Sequence, residues 1–549
     1  MSSSSVPPSG PLRGPEPPFD PPAYAAVDGS AAADGSAEPV VTEQPGPRRG
    51  LGRGLLVGGV AALVVVGGAG AWAWTALGGG GDRPADVLPG TTFAYAAVDL
   101  DPGAGQKVEA LRTLSKFPGL SSTGVSEKSD LGTTLTDLVL SDDECPNLDP
   151  ARDVTPWLGQ RAAVAGVTVG EDSVPVGVVQ VTDDEAAGRG MLKLLACAEN
   201  DDAAKTDGLT PTWVVRDGWA YVAQDADTAT RVADAAAKTT LAGSRDYAEW
   251  TGAVGEQGLV TMYLAPKPGS QIRSLVTSLD LGEDLAGLDA ATAQYDEFTG
   301  GAMTLRFAGG GLELEGASGV DGASRSMLGA GAGTSMASLP DDTLAALAVS
   351  PGPGWFEAQA AQTSAQTGMD VEELYSTIEA ATGLELPGDL ETLFGTSTVL
   401  SLGGGFDPAA LDTAGPAALP VAAKVTGDAA GIQDVLRRLG ALDPSVGELL
   451  ATTQAGDRTV VVGPDAGYRE SVATGGSLGS QEAFRSVVPH ADTAVAAFYL
   501  DVDGRDNWLA KLAESDPEAA KNLEPLAAVG MSVWPDGDTL HTRLRVTTD

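Results

Sequence analysis

The sequence predicts an α+β protein in which a single transmembrane helix precedes two tandem homologous domains, each a mainly antiparallel sheet with packed helices. Three observations carry that expectation. Residues 55–77 form a charge-free apolar run, a set of sequence blocks recurs in one order along the rest of the chain, and short β-rich runs alternate with helical patterns and close on glycine turns.

The tail before the apolar run, residues 1–54, has eleven prolines in its first 47 residues, set among Ser, Gly, Ala and scattered acids. Such a composition cannot bury enough apolar surface to offset ordering entropy, so a disordered tail is expected. Within it, PPFDPPAY around Tyr24 has the make-up of a polyproline II ligand, although biased composition produces such strings without a partner. The run from Leu55 to Leu77 would span about 35 Å as a helix, enough for a bilayer core. Trp72 and Trp74 suit a headgroup belt, Arg48, Arg49 and Arg53 precede the run, and Asp82, Arg83 and Asp86 follow it. The positive-inside rule then expects a single-pass plasma-membrane protein anchored in the lipid bilayer through residues 55–77. Its N-terminus would be cytoplasmic and the remainder extracytoplasmic, joined by a linker at 78–87. A cleaved signal peptide is the alternative, with Ala71-Trp72-Ala73 as cleavage site and Arg48-Arg49 as a twin-arginine pair. A leader of more than fifty residues favours the uncleaved anchor.

The rest of the chain reads as a duplication. LPGTTFAYAAV at Leu88 aligns without gaps to LPDDTLAALAV at Leu339, an offset of 251. DVTPWLGQRAAV at Asp153 aligns to DLETLFGTSTVL at Asp389 with offset 236, and the block at Val181 to that at Val425 with offset 244. Asp225-Ala226 then finds Asp465-Ala466, LVTMYL finds VAAFYL, and AMTLRFAGGGL at Ala302 finds GMSVWPDGDTL at Gly530. Blocks in one order with small drift are hard to produce by chance, so we expect repeat 1 at 88–320, a Gly/Ala/Ser-rich linker at 321–338 and repeat 2 at 339–549. In each repeat, runs such as TFAYAAV, PVGVVQVT, GWAYVAQ and LVTMYL read as strands. Stripes such as Ala187, Met191, Leu195 and Val371, Leu374, Ile378 read as helices. AMTLRF-AGGG-LELEGA and MSVW-PDGD-TLHTRLRV read as closing hairpins.

Charge excludes one class of partner. With 33 Lys and Arg against 75 Asp and Glu the formal charge is -42, nearly all of it after the apolar run, and such a surface repels nucleic acid. The chain has two cysteines, Cys145 and Cys197, and two histidines, His490 and His541, almost no raw material for metal or nucleophile clusters. Repeat 1 holds fifteen extra residues before its WLG block, and Cys145 lies among them. In an oxidising compartment a Cys145–Cys197 disulfide would pin this insertion to the helix shared by both repeats, two buried thiols being the alternative.

VLPGTTFAYAAVDLDPGAGQKVEALRTLSKFPGL, after a Pro-rich tail and one apolar run, resembles the opening of the bacterial membrane proteins grouped as domain of unknown function 3352, and the likeness extends through PWLGQRAAV. The resemblance implies a membrane-anchored topology and an origin in GC-rich Gram-positive bacteria. It supplies no catalytic residue.

No P-loop, dinucleotide fingerprint, G-x-S-x-G elbow, zincin helix or CxxC pair is present after the apolar run. The best acidic constellations are Asp99 and Asp101 in VDLDPG and the weak metal candidates Asp501, Asp503 and Asp506 in YLDVDGRD. Neither fits the calcium loop, and a strand end with a helix-capping Asp explains both. His490 and His541 read as surface residues, and Trp157, Trp213, Trp219 and Tyr221 as core. No catalytic residue and no cofactor is expected. The expected function is a non-enzymatic binding or scaffolding protein of the cell envelope. A carrier or sensor of a small or apolar ligand, held in a cleft between the repeats, is the alternative. An enzyme with an acidic site that leaves no local signature is third.

Overall fold

The computed structural model describes residues 82–100, 103–117, 148–198, 212–278, 288–293, 295–407, 415, 418–513 and 516–549. The tail, the Tyr24 motif and the apolar run 55–77 lie outside them, as do Asp101, Cys145 and the side chains of Cys197 and Asp506.

Eight strands come from the first half: β1 (Thr92–Asp99), β2 (Leu158–Val169), β3 (Asp172–Val181), β4 (Thr212–Arg216), β5 (Trp219–Ala223), β6 (Val260–Leu264), β7 (Gly301–Ala308) and β8 (Gly311–Gly319). Eight more follow: β9 (Thr343–Val349), β10 (Ser397–Gly403), β11 (Val421–Thr426), β12 (Thr452–Gln454), β13 (Thr459–Val462), β14 (Ala496–Asp501), β15 (Leu526–Asp536) and β16 (Thr539–Thr548). All sixteen form one antiparallel sheet in the order β12-β13-β11-β10-β9-β14-β15-β16-β8-β7-β6-β1-β2-β3-β5-β4. Read outward from the middle, each half has its strands in the order eighth, seventh, sixth, first, second, third, fifth, fourth.

Two parts of the expected fold are corrected. The strands do not form one sheet per repeat, because β8 and β16, each the edge of its own half, pair antiparallel along their length. Among the described residues no helix is long and apolar enough to cross a membrane. The described helices reach at most the fifteen residues of Asp184–Ala198, an amphipathic helix that turns Ala187, Met191 and Leu194 to the sheet. The expected plasma-membrane placement rested on a spanning helix and loses that support.

Local chemistry sets the elements. Asp217 and Gly218 both have positive φ in the two-residue turn between β4 and β5, and Gly309 and Gly310 repeat this between β7 and β8, the geometry that matches strand twist. Asp225 caps the Ala226–Ala236 helix by accepting from the Thr228 N–H, and its counterpart Asp465 caps Ala466–Thr474 by accepting from the Tyr468 N–H. The stretch 321–338 carries two short helices, Gly322–Ser326 and Ala332–Ala337, and Met336 of the second is fully buried in the core of the second half.

One face of the sheet is covered along both halves. In the first, Tyr95, Tyr247 and Tyr263 pack edge to face; in the second, Phe484 packs on Tyr499 beside Val399 and Val461. The opposite face is covered over the outer strands, by Trp157, Met191 and Leu194 in one half and Ile432 and Leu436 in the other. Trp219 and Tyr221 are buried as the sequence suggests, and Trp213 packs half-buried at the edge of that second layer.

Candidate functional site

The middle of the sheet inverts the usual alternation. In an antiparallel sheet with one wet face, apolar side chains point inward and polar ones outward. On β8 the reverse holds: Glu313 and Glu315 are only 5% and 6% exposed, whereas Leu312 and Leu314 are half-buried on the other face. The buried carboxylates are matched by arginines. Arg306 of β7 donates to both, and its other nitrogen donates to the carbonyls of Val254 (2.8 Å) and Glu256 (3.1 Å) at the end of the Arg245–Ala253 helix. Arg543 of β16 donates to Glu315 at 2.9 Å, and Arg545 to the Ser486 carbonyl at 2.9 Å.

This network sits on an axis of approximate two-fold symmetry. Aligning Ala302 with Gly530 makes Glu315 the counterpart of Arg543, and these two counterparts face each other across the seam. In two identical repeats that position would face its own copy and bear like charges. Here one half carries the acid and the other the base. The same alignment sets Trp534 opposite Arg306 in role and His541 opposite Glu313. His541 stacks on Trp534 at 5.2 Å, and His490, exposed and with φ of 57°, stacks on the same indole at 4.3 Å.

The other face of the same strands is apolar and open. Direct cross-strand partners share a face, and Leu400 of β10 pairs with Leu347 of β9, which pairs with Phe498 of β14 and so with Met531 of β15. Met531 pairs with Leu544, Leu544 with Leu314 across the seam, and Leu314 with Leu305 and Val260. This row crosses eight strands, about 34 Å at roughly 4.8 Å per strand. A row from Thr398 to Met262 flanks it on one side and a row from Leu402 to Phe307 on the other, and none of the three contains a charged residue. Leu400 is 51% exposed, Met262 46%, Leu347 45% and Met303 38%.

In the second half the face deepens into a groove of about 650 Å³ between the sheet and the Pro444–Leu449 helix, walled by Leu347, Leu400, Leu402, Leu449, Leu450 and Phe498. The one polar residue in its lining, Ser401, lies between Leu400 and Leu402 and turns its buried hydroxyl to the covered face, where it donates to the Ala422 carbonyl at 3.3 Å.

The acidic candidates behave differently from one another. Asp99 is ion-paired with buried Arg161 at 3.1 Å. Asp501 and Asp503 come together at the end of β14. Burial first, then the hydrogen bond and charge of Asp503, pushes the Asp501 carboxyl up to about 6, and burial raises Asp503 as well. Asp503 stands at the N-cap of Gly504–Leu512 without a side-chain cap bond. Among the described residues no group of three His, Cys, Asp or Glu is placed to hold a metal. The proposed Cys145–Cys197 pairing falls outside the described residues.

The seam and the open face were both missed in the sequence, although LELEGA and TLHTRLRV displayed the alternation that separates them. Comparison with known proteins adds no relative: no family model, no curated protein and no solved structure matches the chain.

Proposed function

We propose that this chain is a non-enzymatic binding or scaffolding protein whose working surface is the charge-free open face of the central sheet. One observation carries the reading: the charged side of the middle strands is the covered one, and the leucine side is left to solvent, in a chain of net charge -42. A contiguous apolar surface of this kind marks an interaction site on a folded protein. Covering about 34 Å by 14 Å, roughly 480 Å², would gain about 12 kcal/mol gross at 25 cal/mol per Å². That is of the order needed to offset the rigid-body freedom lost on association, about 4–15 kcal/mol. The three methionines of the rows, Met262, Met303 and Met531, add adaptability to whatever shape is bound.

The test is a photo-crosslinking residue placed at Met303, in cells that make the protein, with the exposed helix position Leu192 as control. We expect adducts from position 303, none from 192, and loss of the adducts when Leu347→Glu puts a charge into the face. Equal yields from both positions would remove the reading.

A further inference from the structure

We infer that the groove of the second half holds a linear hydrocarbon, the acyl chain of a lipid, laid along the sheet from Leu400 toward the seam. This rests on the binding reading above and names its ligand. The walls carry no charge, and the Ser401 hydroxyl is turned to the covered face of the sheet. A peptide, sugar or nucleotide would leave its polar groups unpaired there, at a cost of about 1–3 kcal/mol each, whereas a hydrocarbon leaves none. The volume of about 650 Å³ suits a small molecule rather than a protein segment. Phe498 is the wall residue on the strand nearest the seam, and the row from Phe498 to Leu314 continues the apolar surface beyond it, so an elongated occupant gains contacts that a globular one does not. A second copy of the chain is disfavoured because each brings a charge of -42.

The first half supplies the contrast. Where the groove has Leu347, Leu400, Leu402 and Phe498, the alignment gives Ala96, Val164, Gly166 and Met262. The Phe93 ring lies against Gly166, and the Gly269–Ser278 helix packs across β2 and β3. The corresponding helix of the second half, Gly504–Leu512, packs chiefly on Pro517–Leu523 instead. Small side chains make room for the chain's own atoms in one half, and large ones line an open groove in the other.

The experiment titrates the full chain with cis-parinaric acid, a straight-chain fluorescent fatty acid, and displaces it with hexadecanol or with bulky adamantanemethanol. We expect saturable binding and displacement by hexadecanol but not by adamantanemethanol. Leu400→Gln, at an exposed position that leaves melting unchanged, should weaken binding roughly tenfold. Leu192→Gln, at an exposed position of the Asp184–Ala198 helix outside the face, should change it less than about twofold. Absence of saturable binding, or equal weakening by both variants, overturns the inference. The binding reading is judged separately, since adducts from position 303 persist if only the ligand is wrong and vanish if the face binds nothing.

Discussion

The two halves of the sheet share a strand order, a pair of aspartate helix caps and a closing glycine hairpin, yet they differ wherever they touch something other than themselves. At the seam the first half offers Arg306, Glu313 and Glu315, and the second offers Trp534, His541 and Arg543 at the same three positions. On the open face the first half presents Ala96, Val164 and Gly166 where the second presents Leu347, Leu400 and Leu402. The halves share what holds each of them together and differ in what each one meets. The seam is complementary where identical halves would repel, and one of two equivalent surfaces is filled while the other is open.

The largest effect should come from the seam. Arg306 donates to both buried carboxylates and is the more buried of the two cations, whereas Arg543 donates to Glu315 and lies 3.9 Å from Glu313, so Arg306→Met leaves Glu313 with that distant partner alone and should cost about 3–5 kcal/mol, read from the urea midpoint of the full chain. Arg543→Met should cost less, because that guanidinium is 24% exposed and Arg306 still faces Glu315 after its loss. Were the two changes to cost the same, the asymmetry assigned to the seam would be wrong.

A smaller effect separates the filled face from the open one. A Cβ at Gly166 would meet the Phe93 ring at 2.6 Å, so Gly166→Leu, which copies the second half into the first, should cost about 1–3 kcal/mol by overpacking. The reverse copy, Leu402→Gly, takes a half-buried side chain from an open wall and should cost about 1 kcal/mol, mainly by backbone entropy. Thermal unfolding of the two variants side by side sharpens the contrast, and a costlier Leu402→Gly would break it.

How far these differences could be read from residues alone depends on how local their causes are. The Gly309-Gly310 turn and the buried Trp157 and Tyr221 follow from spacing and side-chain chemistry within a few residues, and they were legible. Pairing of β8 with β16 joins residues more than two hundred apart, and nothing within LELEGA says that its partner is HTRLRV. Alternation showed that Leu314 and Glu315 lie on opposite faces. Which face a helix would cover depends on packing from the Arg245–Ala253 and Glu482–Val487 helices, which lie far from these strands in sequence and cover the side of Glu313 and Glu315. The run 55–77 is read from its length, its lack of charge and the residues at its ends; it lies outside the described residues, among which no helix is long and apolar enough to cross a membrane.

The smallest effect concerns a feature the halves do not share. Asp501 has Ala265 as its counterpart in the first half, and its carboxyl is held up at about 6 against an ordinary value near 3.8. A carboxyl raised on folding binds its proton more tightly in the native state, so its contribution is fully present below pH about 3.8 and is lost as pH rises through about 6. Above that range the native state holds a half-buried carboxylate beside Asp503. Asp501→Asn removes the charge, should stabilise the chain by about 1–2 kcal/mol at pH 7.5 after allowance for solvent screening, and should do nothing near pH 3.5. Unfolding of both proteins at the two pH values decides it. A gain of equal size at both would mean that packing of the amide, rather than release of a shared proton, accounts for the change, and the acidic pair would then be no more than a strand end.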